Sequence, residues 1–232
     1  MDQAFGLSVE RDAVSALDIV GGKSAGSSRS PLGTTDYSSP LVQAQASGAK
    51  VLGLATSGSD TDNAIIQASE FGLNRTMRMA PFTYFLTNVH SVGLEKAQGL
   101  VFPEIFYWDA TEETRAWSKR FGSKFAVPAN RSQAAAYSAT LHYLKAVAKL
   151  GNSDGKAVVA EMRAMPVNDF WLKNVAIRED GRVMIPIALM QVKTPAESKY
   201  PFHYLKQVAT IAAEDAYRPL AEGGCPLLQA KN

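Results

Sequence analysis

Apolar residues recur along the first half of the chain at two alternating periods, and the alternation predicts helix and strand in turn. Residues 6–19 place Leu7, Ala13, Val14, Leu17 and Ile19 at mostly helical spacing, and Gly21-Gly22 supplies a stop. A short extended piece from Ser24 to Ser30 is broken by Pro31. Asp36 is placed to cap a second helix, Tyr37 to Ser47, whose Leu41, Val42 and Ala46 share a face and which Gly48 ends. Lys50 to Thr56 is a continuous apolar run, the pattern of a strand buried on both faces. The turn formers Ser57-Gly58-Ser59-Asp60-Thr61 follow it, against the start of a helix from Asp62 to Phe71 that ends at Gly72. Strand, polar turn and helix in that order make one βα unit of a parallel sheet. Further strands are expected at Arg75–Phe82 and Gly99–Tyr107, a helix at Val92–Gln98, and an amphipathic helix at Thr111–Phe125.

Pro128 and Asn130 mark a crossing segment, so the chain is expected to break near 125–132 into residues 1–125 and 126–232. A helix from Ser132 to Leu150, closed by Gly151, and another from Gly155 to Met165, stopped at Pro166, open the second part. Residues 170–195 then read as a β-hairpin turning at Glu179-Asp180-Gly181, and residues 207–211 as a last short strand.

Composition removes whole classes of function. Hydrophobic residues make up 46% and charged residues 20% of the 232, values of a soluble globular protein with a core. The 24 Lys and Arg against 22 Asp and Glu are scattered, and Lys119, Arg120 and Lys124 share a helix with Glu112 and Glu113, so no nucleic-acid surface is expected. The single Cys225 excludes an intrachain disulfide, and His90, His142 and His203 have no ligand spacing, so neither a metal nor a cofactor is expected. Nucleophile-elbow, dinucleotide and phosphate-loop motifs are absent, and Tyr137 and Tyr143 lack a lysine four residues on, which leaves no enzyme chemistry. The opening Met1-Asp2-Gln3-Ala4-Phe5 has neither a basic nor an apolar leader region and, read alone, says cytoplasmic.

An ordered series of segments carries a resemblance. It includes Asp36-Tyr37-Ser38-Ser39, residues 41–51 (LVQAQASGAKV), Ala68-Ser69-Glu70-Phe71-Gly72 and Phe106-Tyr107-Trp108-Asp109. It continues with residues 137–147 (YSATLHYLKAV), Asp180-Gly181-Arg182 and Arg218-Pro219-Leu220. In this order they resemble the latter part of the type I periplasmic solute-binding proteins related to leucine/isoleucine/valine-binding protein, over residues 4 to about 228. The resemblance implies an α/β fold of two doubly wound, parallel-sheet lobes with the solute in the cleft between them. Residues 1–125 would be the second lobe lacking its first strand, and residues 126–232 the return to an incomplete first lobe, with the C-terminal segment near the hinge. It further implies an N-terminally truncated chain whose family works in the periplasm as the extracytoplasmic part of an ABC importer. The implied partners are the transporter's membrane subunits and an amino acid, amide or aromatic acid as solute, together with self-association through surface that truncation exposes. A cytoplasmic ligand-sensing domain of the same fold, or a non-functional remnant, are the alternatives.

Ligands of open α/β sheets sit beyond the carboxyl ends of the strands. That directs attention to Ser57, Gly58, Ser59 and Asp60 after the first strand, where small residues admit a ligand to backbone and hydroxyls can bond it. The competing reading there is a helix cap by Ser59 or Asp60. Pro81 and Phe82 follow the next strand; by resemblance an acidic residue would meet an ammonium group in that region, yet residues 76–86 hold no carboxylate. That puts a conventional α-amino acid in doubt and admits an aromatic or amide-like solute. Gln3 falls where many relatives carry a tyrosine lining the cleft, and Tyr137 is the remaining candidate, against a helix-packing role.

Overall fold

A computed structural model describes Met1 and residues 3–229. The chain forms two compact units, Met1–Pro103 with Leu189–Val208, and Glu104–Ala188 with the residues from Ala209 onward.

The first unit opens with α1 (Ala4–Ile19) and α2 (Ser38–Ala46), the latter held at its start by Asp36 Oδ1, which accepts from the Ser38 amide at 2.9 Å. Strand β1 (Val51–Leu54), helix α3 (Ser59–Glu70) and strand β2 (Arg78–Pro81) then build the expected βαβ unit. β1 and β2 are parallel, with Val51 opposite Arg78 and Leu54 opposite Pro81. The apolar stripe Ala64, Ile65 and Ala68 of α3 is fully buried. Gly72, at φ 70°, reverses the chain after α3 and drops Leu73 into the same core. Tyr84 meets Phe102 edge-on with ring centroids 5.7 Å apart.

Two sequence expectations differ here. Val51 is 54% exposed, where a strand buried on both faces was expected, because among the described residues no layer covers the side of β1 that carries it. The single helix expected at 92–98 is instead α4 (Leu86–Val92) and α5 (Leu94–Ala97), separated by Gly93 at φ 85°. The apolar pair Leu86 and Val89, three residues apart, fixes the earlier start by burying one face of α4.

The second unit is built on α6 (Glu112–Phe125), α7 (Arg131–Leu150) and α8 (Gly155–Ala164). Thr111 and Asn130 close reciprocal capping boxes with Thr114 and Gln133, and Asp154 caps α8. Its core is aromatic: Phe106 and Trp117 pack with Phe121, Phe170 and Trp171, and the Trp117 and Phe170 rings stack at 4.2 Å and 12°. The 169–172 turn that presents Phe170 is held by Asp169, whose Oδ1 accepts from the Trp171 and Leu172 amides, each at 2.8 Å, while Ser138 Oγ donates to Oδ2. The break expected at 125–132 therefore lies inside this unit, where Trp117 of α6 packs on Tyr137 of α7.

The hairpin expected over 170–195 is only partly formed. Its turn exists, with Gly181 at φ 86° and its amide donating to Arg178 O at 2.8 Å, and bridges join Val167 to Val175 and Ile177 to Val183. Residues Ile187–Val192 leave it to become β4, the centre of a three-stranded sheet between β3 (Val101–Glu104) and β5 (Leu205–Ile211). Short helices α9 (Ala213–Ala216) and α10 (Pro226–Gln229) complete the described chain.

Candidate functional site

The parallel pairing of β1 and β2 determines where the polar loops emerge. Leu54 and Pro81 are register partners, so the segments beginning at Ala55 and Phe82 leave the same edge of the pair side by side. The Phe82 amide donates to Leu54 O at 3.1 Å and fastens the two exits together. The Met1 ammonium donates to Ala55 O at 3.3 Å, which brings the start of α1 to this end as well. Gln3, exposed and extended at φ −150°, precedes α1 there and accepts the Leu7 amide at its carbonyl.

The loop after β1 is open to solvent at Gly58 and Ser59 and half-buried at Ser57. Gly58 takes φ 58° and is itself the N-cap of α3, with no side chain bonding the helix start. Neither Ser59 nor Asp60 caps the helix, since both already lie within its first turn. Asp60 is 2% exposed, and its Oδ2 accepts from the Gly33 amide at 3.0 Å, so it braces the irregular segment before α2 against α3. Pro81 is fully buried, while Phe82 is half-buried with its ring across Gly53: a Cβ on Gly53 would stand 2.9 Å from Cε2 and Cζ.

Behind the loop lies a buried polar layer that local spacing did not reveal. Thr56 and Thr61 share a hydrogen bond between their Oγ1 atoms at 2.7 Å. Tyr84 donates from its hydroxyl to Asp62 Oδ1 at 3.0 Å, and Asn88 Nδ2 donates to both oxygens of that carboxylate. Burial, with the Asp62 charge beside it, pushes the Tyr84 phenol far up. Burial likewise pushes the Tyr37 phenol up to about 12, with the Asp60 charge adding to the effect. Tyr84 and Asn88 reach Asp62 across 22 and 26 residues of sequence, so tertiary folding alone joins them; a polar residue at an otherwise apolar helix position, as at Thr61, is the one signal the sequence offered.

The structure thus brings Gln3, Ser57, Gly58, Ser59, Asp60, Pro81 and Phe82 to one end of one unit. Tyr137 belongs to the second unit, where its ring meets Trp117 at 5.3 Å and Phe170 at 5.6 Å, a packing role within that core. The exposed wall offers hydroxyls, backbone amides and one aromatic edge. Both carboxylates in the first turn of α3 are engaged within the protein.

Residues 1–199 match the sequence family described as periplasmic binding protein. A periplasmic binding protein from Burkholderia mallei is 42% identical, with a TM-score of 0.90 over 97% of this chain and 60% of its own. A branched chain amino acid ABC transporter periplasmic ligand-binding protein from Burkholderia xenovorans is 36% identical, with a TM-score of 0.89 over the same shares. A solute-binding protein of an ABC transporter from R. palustris, solved with 4-hydroxybenzoate, shares the fold at 17% identity and a TM-score of 0.77, over 91% of this chain and 58% of its own. No curated protein matches the chain. The chain spans about 60% of the length of the two Burkholderia structures.

Proposed function

Because the chain belongs to the periplasmic binding protein family and has its α/β fold, we propose that it is the extracytoplasmic solute-binding component of an ABC importer. It takes up amino acids or related small organic solutes, works in the periplasm alongside the importer's membrane subunits, and catalyses no reaction. The observation that carries this reading is the convergence of Ser57–Ser59, Phe82 and Gln3 at the carboxyl ends of two parallel strands. In this reading Ser57, Gly58, Ser59, Gln3 and the Phe82 edge touch the solute, Asp60 and Pro81 hold the wall in shape, and Tyr137 supports the second unit. The first unit corresponds to most of the family's second lobe and the second unit to part of its first.

A single wall binds weakly, because a cleft ligand gains from burial on both sides and from expulsion of water. Losing about 4 kcal/mol weakens binding on the order of 1000-fold, turning micromolar into millimolar. Isothermal calorimetry of residues 1–232 against a panel of amino acids and aromatic acids should therefore show no saturable heat. The same chain joined to the amino-terminal region of its 42% identical relative should bind one panel member, and Phe82→Ala should weaken that binding at least tenfold. Failure of the joined protein to bind any member overturns the proposal; micromolar binding by residues 1–232 alone overturns the single-wall account.

A further inference from the structure

The opposite end of the same two strands carries a second feature. Lys50 stands immediately before β1, Arg78 opens β2, and the Arg78 amide donates to Lys50 O at 2.9 Å, which locks the two positions together. Arg75 ends the turn that leads into β2. These three cations line one open surface groove of about 520 Å³, with Asn74, Thr76 and Gln98 as its other polar walls. A space of this size suits a small organic or inorganic ligand. It lies at the amino ends of β1 and β2, away from the candidate solute loops at their carboxyl ends.

The groove gathers three exposed cations. Among the described residues no carboxylate pairs with Lys50, Arg75 or Arg78, although lysines and arginines elsewhere in the chain do form ion pairs. Three like charges around one concavity repel one another, and an anion bound between them relieves that repulsion while meeting several donors at once. Asn74 lines the same groove. Its Oδ1 is buried without a partner, while its Nδ2 donates to Ser69 Oγ at 3.3 Å.

We propose that this groove binds a small polyanion of the phosphate type, with Arg75 and Arg78 as forked donors, Lys50 as a third charge, and Gln98 as a neutral donor. Arginine forks match the oxygens of phosphoryl groups, and three separated cations favour an anion bearing more than one charge. Such a site is independent of the solute-binding reading, because it uses the other end of the strands.

The test is calorimetric titration of residues 1–232 with sodium pyrophosphate at fixed ionic strength, accompanied by thermal melting. Saturable binding and an upward shift in Tm are expected, with orthophosphate about tenfold weaker for its lower charge. Arg75→Gln combined with Arg78→Gln should lower pyrophosphate affinity at least tenfold, Lys50→Gln should lower it by a smaller factor, and Lys119→Gln on α6 should leave it unchanged. Unaltered melting of the ligand-free variants separates loss of the site from loss of the fold, and the Lys50 variant gives a reading from a second element. Absence of saturable binding overturns the proposal. So does binding that the double variant retains, equal weakening by Lys119→Gln, or preference for an acidic peptide over pyrophosphate.

Discussion

Replacing Arg131 by Met strands a carboxylate inside the second unit. Glu104 is 3% exposed; its Oε1 accepts from the amides of Ile105 at 2.9 Å and Phe106 at 3.3 Å, and its Oε2 from Arg131 Nη1 at 3.1 Å. Burial holds the Glu104 carboxyl above its ordinary range, against the pull of Arg131 and the two amides. Removing one partner of a buried ion pair typically costs 3–5 kcal/mol, and the surviving amide bonds place Arg131→Met near the lower end, at about 3 kcal/mol. That loss pushes the folded carboxyl further up, since its charged form has lost the cation beside it. The sign follows directly. A carboxyl whose folded pKa exceeds its unfolded value binds its proton more tightly when folded, so stability is greatest at low pH and falls as pH rises through that interval. The penalty of Arg131→Met should therefore be small near pH 4, grow as pH rises, and level off once the folded carboxyl is ionised. Urea unfolding followed by tryptophan fluorescence measures it cleanly, because Trp108, Trp117 and Trp171 all lie in the second unit. Adding Glu104→Gln removes the stranded charge and should return stability to within about 1 kcal/mol of the parent. A loss that does not vary between pH 4 and pH 7.5, or no recovery in the double variant, would refute the reasoning.

The same fluorescence assay should show Asn130→Ala costing about 1 kcal/mol, since its side chain bonds the Ser132 amide at 2.9 Å and closes the box with Gln133 at the start of α7. Gly53→Ala should displace the Phe82 ring, which stands 2.9 Å from the added methyl, and cost about 1–3 kcal/mol; unchanged thermal melting and unchanged solute binding by the joined protein would show that the ring does not rest there. Phe125, Leu144 and Tyr143 are 60%, 54% and 41% exposed, so light scattering of residues 1–232 should report concentration-dependent association that Leu144→Glu diminishes; a well-behaved monomer that binds no apolar dye is the contrary result.

What the sequence made legible was whatever local chemistry decides. The βαβ unit was readable because a four-residue apolar strand, a glycine-bearing turn and a helix with Ala64, Ile65 and Ala68 on one face each announce themselves within a dozen residues. The loop after β1 was found for the same reason, since strand polarity alone says which end carries ligand loops. Neither Ser59 nor Asp60 caps α3 as expected, because Gly58 holds the N-cap backbone without a side chain and places both as the first two helical residues. Asp60 then became a brace for Gly33, a partner 27 residues away that no spacing rule connects to it. The aromatic core around Trp117 escaped for a similar reason: Phe106, Trp117, Tyr137 and Phe170 come from four separate segments, and their order in sequence says nothing of their stacking.

Large apolar side chains on three elements are open to water. Val51 opens an apolar run written for a covered strand and is 54% exposed; Ile19 at the end of α1 is 83% exposed, and Leu144, on the face of α7 away from buried Ala134, Ser138, His142 and Ala146, is 54% exposed. Single exposed apolar residues need no explanation, but large apolar side chains open to water on three elements together do. Burying a side chain of this size is worth about 1.5–3 kcal/mol, so water contact at these positions is a standing drive toward association. Charged substitution at Leu144 removes only one of these faces. Association that persists in Leu144→Glu but disappears when Val51→Lys is added would therefore locate the second contact on β1, where an apolar strand face and its polar edge are presented together.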